Sequence, residues 1–361
     1  MPLIYLFVIL MAVMYPLAHA AENMSGSRDG RIGGTDNTGA KVMVILIFLI
    51  FAFVLGFRGI SAAVNDEYAY RNRVIRMVGR DLGEAVKGTT EWLDTLCCWI
   101  VARIFPGESQ WVIVYYTVVA YACFVAFIYK NCDHFGMGIM MLFLLNIVNV
   151  SLNTMQQMVA VAVAAMGIPY VIKRNFIKYA VIILIAALFH NSAIVLIAIY
   201  FIANMKPWSG KFIGIAFLFV IIMVLFNTVA PDLFSRMEIL EEYDSSYGSG
   251  VKTITVIVAF VPVLFAFFMK SYFPTDDDEL NVAINMALVY AMIYIVSTQN
   301  KYVARFAMYL QPYLIILYTR ALTYLRKENL STITTFVLFA GYGATMVYFV
   351  QQIKYRFLWV L

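Results

Sequence analysis

The chain has 361 residues, is 63% hydrophobic and 13% charged, and carries a net charge of +5 with a mean hydropathy of +0.82. A soluble core does not absorb that much apolar surface, so the composition excludes an ordinary water-soluble domain and implies an all-α polytopic membrane protein. The modest positive charge is what loops flanking membrane helices supply, so no nucleic-acid partner is expected, only the lipid bilayer.

In chain order, apolar runs predict helices near 2–19, 42–57, 111–129, 137–152, 155–172, 212–230, 252–272, 281–297, 303–323 and 331–350. The stretch 180–201 adds one or two more, for about 12 transmembrane helices in a single integral membrane domain over 1–361. The first run, "PLIYLFVILMAVMYPLAHA", has a signal-like apolar core and a small-x-small ending but no basic start, and is read as a retained helix. A Gly- and Ser-rich segment, 20–41, reads as a mobile polar linker on the cytoplasmic side. Residues 58–110 place apolar groups at helical spacing among charges, which predicts amphipathic helices at the outer interface. The acidic run "TDDDE" at 275–279 reads as solvated helix-start chemistry, and 231–250 as a polar loop. The four cysteines and three histidines have no metal-ligand spacing, and no metal or cofactor is expected.

The stretch "AVIILIAALFHNSAIVLIAIYF" (180–201) holds His190, Asn191 and Ser192 in the middle of an apolar run. From Lys178 to Lys206 one continuous helix would be about 42 Å long, against a hydrocarbon core of about 30 Å. Two helices would each be about 16 Å, too short to span alone and tolerated only where their ends line a cavity in a bundle. Basic residues in the loops favour an outside N-terminus and an outside C-terminus under the two-helix reading: 13 inside against 6 outside once 58–110 is set apart. Beyond Lys178 the charges do not separate the one-helix reading from the two-helix reading.

Under the two-helix reading the polar helix ends converge. Arg58, Asp66, Glu67, Tyr68 and Tyr70, then Asn153, Gln156 and Gln157, then His190, then Gln299, Asn300, Lys301 and Arg305 all fall on the outer face. Each has a plain structural reading: a snorkelling Arg, a packed His, a turn-capping Gln. Together they are costly to keep in a membrane, and that cost favours function. Two guanidiniums grip a pyrophosphate bidentately, and a His or Asp takes a proton from an attacking hydroxyl. With no acidic metal cluster in the sequence, protein cations would stabilise the leaving group. This describes metal-independent glycosyl transfer from a lipid pyrophosphate.

Three blocks carry a family resemblance: "GFRGISAAVNDEYAY" (56–70), "NTMQQMVAVAVA" (153–164) running on through 173–202, and "NKYVARFAMYL" (300–310). In order and spacing the chain resembles the EpsG-type branch of Wzy-like polysaccharide polymerases, a resemblance that extends over nearly its whole length. It implies a GT-C-like fold in the bacterial cytoplasmic membrane. It also implies an activity on the outer face: joining undecaprenyl-pyrophosphate-linked oligosaccharide repeat units with inversion, acceptor hydroxyl on donor sugar. A flippase and a chain-length regulator would be partners. The resemblance points to Arg58, Asp66, Tyr70, Gln157, His190 and Arg305. His190 is the expected base, with Asp66 its competitor. Arg58 and Arg305 are expected on the pyrophosphate, assisted by Lys301, Gln156 and Gln157, with Tyr68 and Tyr70 along the sugar. Where the family usually shows Arg-Gln, this chain has Gln156-Gln157, so one expected cation is missing. Two other activities use similar groups: a flippase for lipid-linked sugars, and a membrane acyltransferase acting on surface glycans.

Overall fold

Every regular element among the described residues is helical. The computed structural model describes residues 2–27, 30–34, 36–59, 65–215, 217–218, 220–221, 224–225, 250–298 and 300–352, without the side chains of Asn65, Asp66 and Gln352. Gln299 and most of the loop expected at 231–250 lie outside the described residues.

The chain opens with α1 (Leu3–Ser25), which ends on Gly26 in the left-handed region at φ 66°, a conformation glycine adopts without strain. Next come α2 (Thr38–Gly56), three helices over the amphipathic region, α3 (Asn65–Met77), α4 (Leu82–Val86) and α5 (Trp92–Ile104), and α6 (Gln110–Asn131). They are followed by α7 (Phe135–Leu144), α8 (Ile147–Ser151), α9 (Met155–Ala165), α10 (Ile168–Ile172), α11 (Phe176–Phe189) and α12 (Leu196–Ala203). Described residues between 210 and 225 are also helical. The chain closes with α13 (Thr253–Phe268), α14 (Asp278–Val296), a short α15 (Ala304–Ala307), α16 (Gln311–Lys327) and α17 (Ser331–Gln352).

Among the described residues, six helical segments are long and apolar enough to cross a membrane: α1, α2, α6, α9 with α10, α14 and α17. This is a multi-pass membrane protein. The expected count of about 12 would need α7, α11, α12, α13 and α16, all shorter, and the run expected at 212–230, only part of which is among the described residues, to cross as well. Burial sorts the six into layers. The α9–α10 segment is 72% buried and α14 67%, whereas α17 is 22% buried. α9–α10 and α14 therefore form the centre. α1, α2 and α17 turn side chains such as Val8, Leu49 and Phe336 outward, where lipid receives apolar surface without penalty.

Several expected single helices are broken. The run expected at 137–152 stops at Leu144 and restarts at Ile147, across Asn146 at φ 64°, a left-handed conformation that Asn tolerates. Each break leaves backbone carbonyls without helical partners, and inside a bundle a side chain must supply the donor. The amides do this. Gln311 Nε2 donates to the Leu145 carbonyl at 3.1 Å, and Asn285 Nδ2 donates to those of Ala203 and Met205 at 2.9 and 2.6 Å.

The question of one helix or two at 180–201 is answered by antiparallel contacts. The ring of Phe176, at the start of α11, meets Tyr200 and Phe201 with centroids 5.1 and 5.5 Å apart. The Tyr179 hydroxyl donates to the Leu196 carbonyl at 2.8 Å. A continuous helix would hold these pairs about 25 Å or more apart. Instead α11 and α12 form a hairpin. At its tip His190 is extended (φ −152°, ψ 117°) and a short 3₁₀ helix, Asn191–Val195, follows.

The opposite end of the bundle departs from expectation in two places. The segment expected as a mobile linker is partly helical, since α1 runs on to Ser25, and partly tied down. Ile32 is fully buried, and Arg31 pairs with Asp133 and Glu279, both at 2.8 Å. In the acidic run, Asp277 does cap α14, accepting from Leu280 N–H at 3.0 Å. It is buried, not solvated. Arg320 donates to it at 2.7 Å and the Tyr324 hydroxyl at 2.5 Å, while Arg320 also reaches Asp133 at 2.9 Å.

Candidate active site

The polar helix ends do gather at one end of the bundle, and hydrogen bonds between distant segments join them. Gln156 and Gln157 open α9. Gln156 Nε2 donates to the Phe189 carbonyl at 2.9 Å, closing the end of α11 beneath His190. Gln157 Nε2 donates to the Arg305 carbonyl at 2.9 Å, holding the α15 turn. The amide pair thus fastens the two tips that carry His190 and Arg305 to a central helix.

His190 has a carboxylate partner that the sequence did not single out. Glu91, just before α5, places Oε1 2.8 Å from His190 Nδ1. The same Oε1 accepts from the Asn191 N–H at 3.0 Å, and Oε2 accepts from Gln156 Nε2 at 2.7 Å. Thr90 Oγ1 accepts from Asn191 Nδ2 at 2.5 Å. Burial pushes the Glu91 carboxyl up, but the imidazole, the Asn191 N–H and the Gln156 amide outweigh it. They hold the group below the ordinary glutamate value. Glu91 is therefore anionic at neutral pH. The side chains of His190 and Glu91 are 26% and 21% exposed, so the dyad is anchored in protein yet partly open at the protein surface. Nδ1 is the buried ring nitrogen, against Glu91. On the next turn of the tip, Ser192 Oγ meets the buried Tyr309 hydroxyl at 2.9 Å.

Arg305 is half-buried, with its guanidinium over the Tyr302 ring at 5.1 Å from the centroid. Among the described residues it has no carboxylate partner. Lys301, one turn before it, is exposed. The stretch between them is built of short 3₁₀ and α turns, and Asn300 Oδ1 caps its start by accepting from Tyr302 N–H at 2.9 Å. Both cations therefore stand on an irregular tip beside the hairpin that bears His190.

Arg58 is placed differently from the sequence expectation. Its side chain is 1% exposed. It donates to the Leu55 carbonyl at 2.6 Å, the Leu152 carbonyl at 2.9 Å and Met155 Sδ at 3.0 Å. These acceptors are orphaned ends of α2 and of the α8–α9 turn, so the guanidinium faces protein groups and ties α2 to the base of α9. Behind it Glu67 Oε2 lies 3.8 Å from Arg58 Nε, while Glu67 Oε1 accepts from Arg71 at 3.0 Å. Gln110 completes the frame: it accepts from Arg71 at 2.6 Å and donates to the carbonyls of Gly56 and Arg58.

Asp66 lies in the first turn of α3 and its side chain is outside the described residues. Tyr68 is 65% exposed on the same helix, whereas Tyr70 packs half-buried on the Tyr116 ring, centroids 5.1 Å apart. The amphipathic region is itself pinned by a buried pair. Arg73 donates to Asp94 at 2.6 Å, and Tyr115 and Tyr116 donate to the same carboxylate at 3.3 Å. Burial pushes Asp94 up to about 6 against the opposing pull of Arg73. This anchoring fixes the start of α5, and with it Glu91.

Comparison with known proteins gives one positive result: the profile of the EpsG family matches residues 41–359. No match was found among curated proteins or among solved structures. The matched span takes in all three sequence blocks, the amphipathic region that supplies Glu91, and both tips.

Proposed function

The chain belongs to the EpsG family, and we propose that it polymerises polysaccharide by joining lipid-linked oligosaccharide repeat units at the His190 end of the bundle, on the outer face of the bacterial cytoplasmic membrane. The observation that carries this reading is the carboxylate–imidazole pair of Glu91 and His190, partly open at the protein surface and set beside a tip bearing Arg305 and Lys301.

In this reading anionic Glu91 holds the imidazole with its Nδ1 proton inward, leaving the Nε2 lone pair to act. Nε2 takes the proton of the acceptor's sugar hydroxyl as that oxygen bonds to the anomeric carbon of the donor. The bond from that carbon to the pyrophosphate oxygen breaks, its electron pair leaves with undecaprenyl pyrophosphate, and the configuration inverts. Arg305 and Lys301 receive the charge that develops on the leaving group, and the planar guanidinium is suited to a bidentate grip. Gln156 and Gln157 set the spacing of the two tips. Arg58 acts through the frame beneath them, and exposed Tyr68 offers a ring face to sugar.

Purified protein in lipid, supplied with one lipid-linked repeat unit, should yield glycans of two and more repeats together with free lipid pyrophosphate. Movement of the unit across the bilayer with no lengthening would replace the polymerase reading with a flippase. Labelling of a cysteine at position 190 only from the cytoplasmic side would point to an acyltransferase instead.

A further inference from the structure

At the end of the bundle away from His190, a cavity of about 340 Å³ opens between the first helix and the last. α1 lines it with Tyr15, His19 and Glu22, and α17 with Ser331, Thr335 and Phe339. These spacings of three and four residues put each trio on one helix face. α1 runs toward this end and α17 away from it, so both faces grade the same way: polar groups at the mouth and a ring one or two turns deeper. The two rings, Tyr15 and Phe339, meet edge to face with centroids 6.5 Å apart and close the base.

The mouth carries an excess of donors. Arg326, in the last turn of α16, is exposed and makes no side-chain hydrogen bond or ion pair among the described residues. His134 faces it from the start of α7. The one acid present is already engaged. Glu22 Oε1 accepts from the Gly136 N–H at 2.6 Å, and Oε2 lies 3.4 Å from His19 Nδ1. Arg326 is thus a cation with no side-chain partner among the described residues, with two imidazoles and two hydroxyls around it.

We propose that this cavity seats the headgroup of an anionic phospholipid from the adjoining leaflet. The phosphate rests on Arg326 and the imidazoles, and Ser331 and Thr335 donate to phosphate or glycerol oxygens. The volume suits a glycerophosphate but not two acyl chains. The chains instead leave past the ring base along the outward face of α17, where Ile333 and Phe336 are 63% and 73% exposed. A free inorganic anion would use the mouth but gain nothing from the apolar base, and this favours the lipid. A basic pocket between membrane helices reading a lipid headgroup is electrostatically well founded.

The test is native mass spectrometry of the full-length protein in detergent, offered equal phosphatidylglycerol and phosphatidylethanolamine. One phosphatidylglycerol per chain should be retained in preference. Arg326→Gln should lower that retention about tenfold, the scale of one charge-assisted hydrogen bond, while Lys87→Gln at the other end leaves it unchanged. Thr335→Trp, which fills the cavity without altering charge, should also lower it, with an unchanged melting temperature showing that the fold is kept. Equal retention of the two lipids, retention unaffected by Arg326→Gln, or displacement by millimolar inorganic phosphate would overturn the proposal. None of the cavity residues lies at the His190 end, so the outcome is independent of the polymerase assay.

Discussion

Glu91→Gln is the sharpest perturbation of the dyad. It keeps the size of the side chain and replaces the carboxylate with a neutral amide, so the loop before α5 keeps its shape. What disappears is the charge 2.8 Å from His190 Nδ1, together with one of the two oxygens that accept from the Asn191 N–H and Gln156 Nε2. A charge-assisted hydrogen bond at a partly buried site contributes about 1.5–3 kcal/mol, and the 21% exposure of Glu91 argues for the middle of that range. About 2 kcal/mol corresponds to a loss of roughly 30-fold in the rate of glycosyl transfer, at 1.36 kcal/mol per decade. The assay is single-turnover lengthening of one lipid-linked repeat by protein in lipid, followed from acidic to alkaline pH. His190→Ala should cost about 100-fold or more. The double variant should be little slower than His190→Ala alone, because the part Glu91 takes in proton transfer runs through the imidazole. A Glu91→Gln enzyme as fast as wild type would refute the reasoning, as would a double variant whose losses multiply.

Arg305→Lys keeps the charge but loses the planar fork and the stacking on Tyr302. Lengthening of the glycan should fall at least tenfold, about 1.4 kcal/mol, with the melting temperature unchanged; near-normal polymer would remove Arg305 from the pyrophosphate. Arg58→Ala should act on the frame, leaving the orphaned carbonyls of Leu55 and Leu152 without donors and Glu67 with Arg71 as its partner. A loss of about 2–6 kcal/mol is expected from the two unsatisfied carbonyls, seen as a large drop in thermal stability, whereas a stable protein with only weakened substrate binding would give Arg58 a ligand role. Asp94 titrates near 6 when folded, above its ordinary value of 3.8. The folded state therefore binds the proton more tightly, and stability rises as pH falls from about 6 to about 4, by at most about 3 kcal/mol. Thermal unfolding in detergent should show that slope in the wild type and a flatter one in Asp94→Asn.

The gathering of Gln157, His190 and Arg305 at one end was legible because each interrupts an apolar run, and polar groups there need a reason. The hairpin at His190 followed from length, since one helix overfills the membrane and two short ones need a shared tip. Glu91 was not legible. Residues 58–110 hold several acids among mixed polar and apolar neighbours, so no contrast marks the one that meets a histidine far along the chain. The direction of Arg58 was hidden for another reason. Whether it faces a ligand or a carbonyl depends on where neighbouring helices break and which carbonyls they leave open, and the break at Asn146 lies inside a run that reads as continuous. The same limit applies to Asp277, whose neighbours in sequence are exposed while Arg320 and Tyr324 bury it.

The central claim is that His190, held by Glu91, takes the proton when one repeat unit is joined to the next. Its most direct test is single-turnover transfer by His190→Ala with bound donor and acceptor, reading lengthened glycan and released lipid pyrophosphate together. The account predicts that donor binding is retained and both products appear about 100-fold more slowly. Both products appearing at the wild-type rate would contradict it and leave His190 as the residue that shapes the tip.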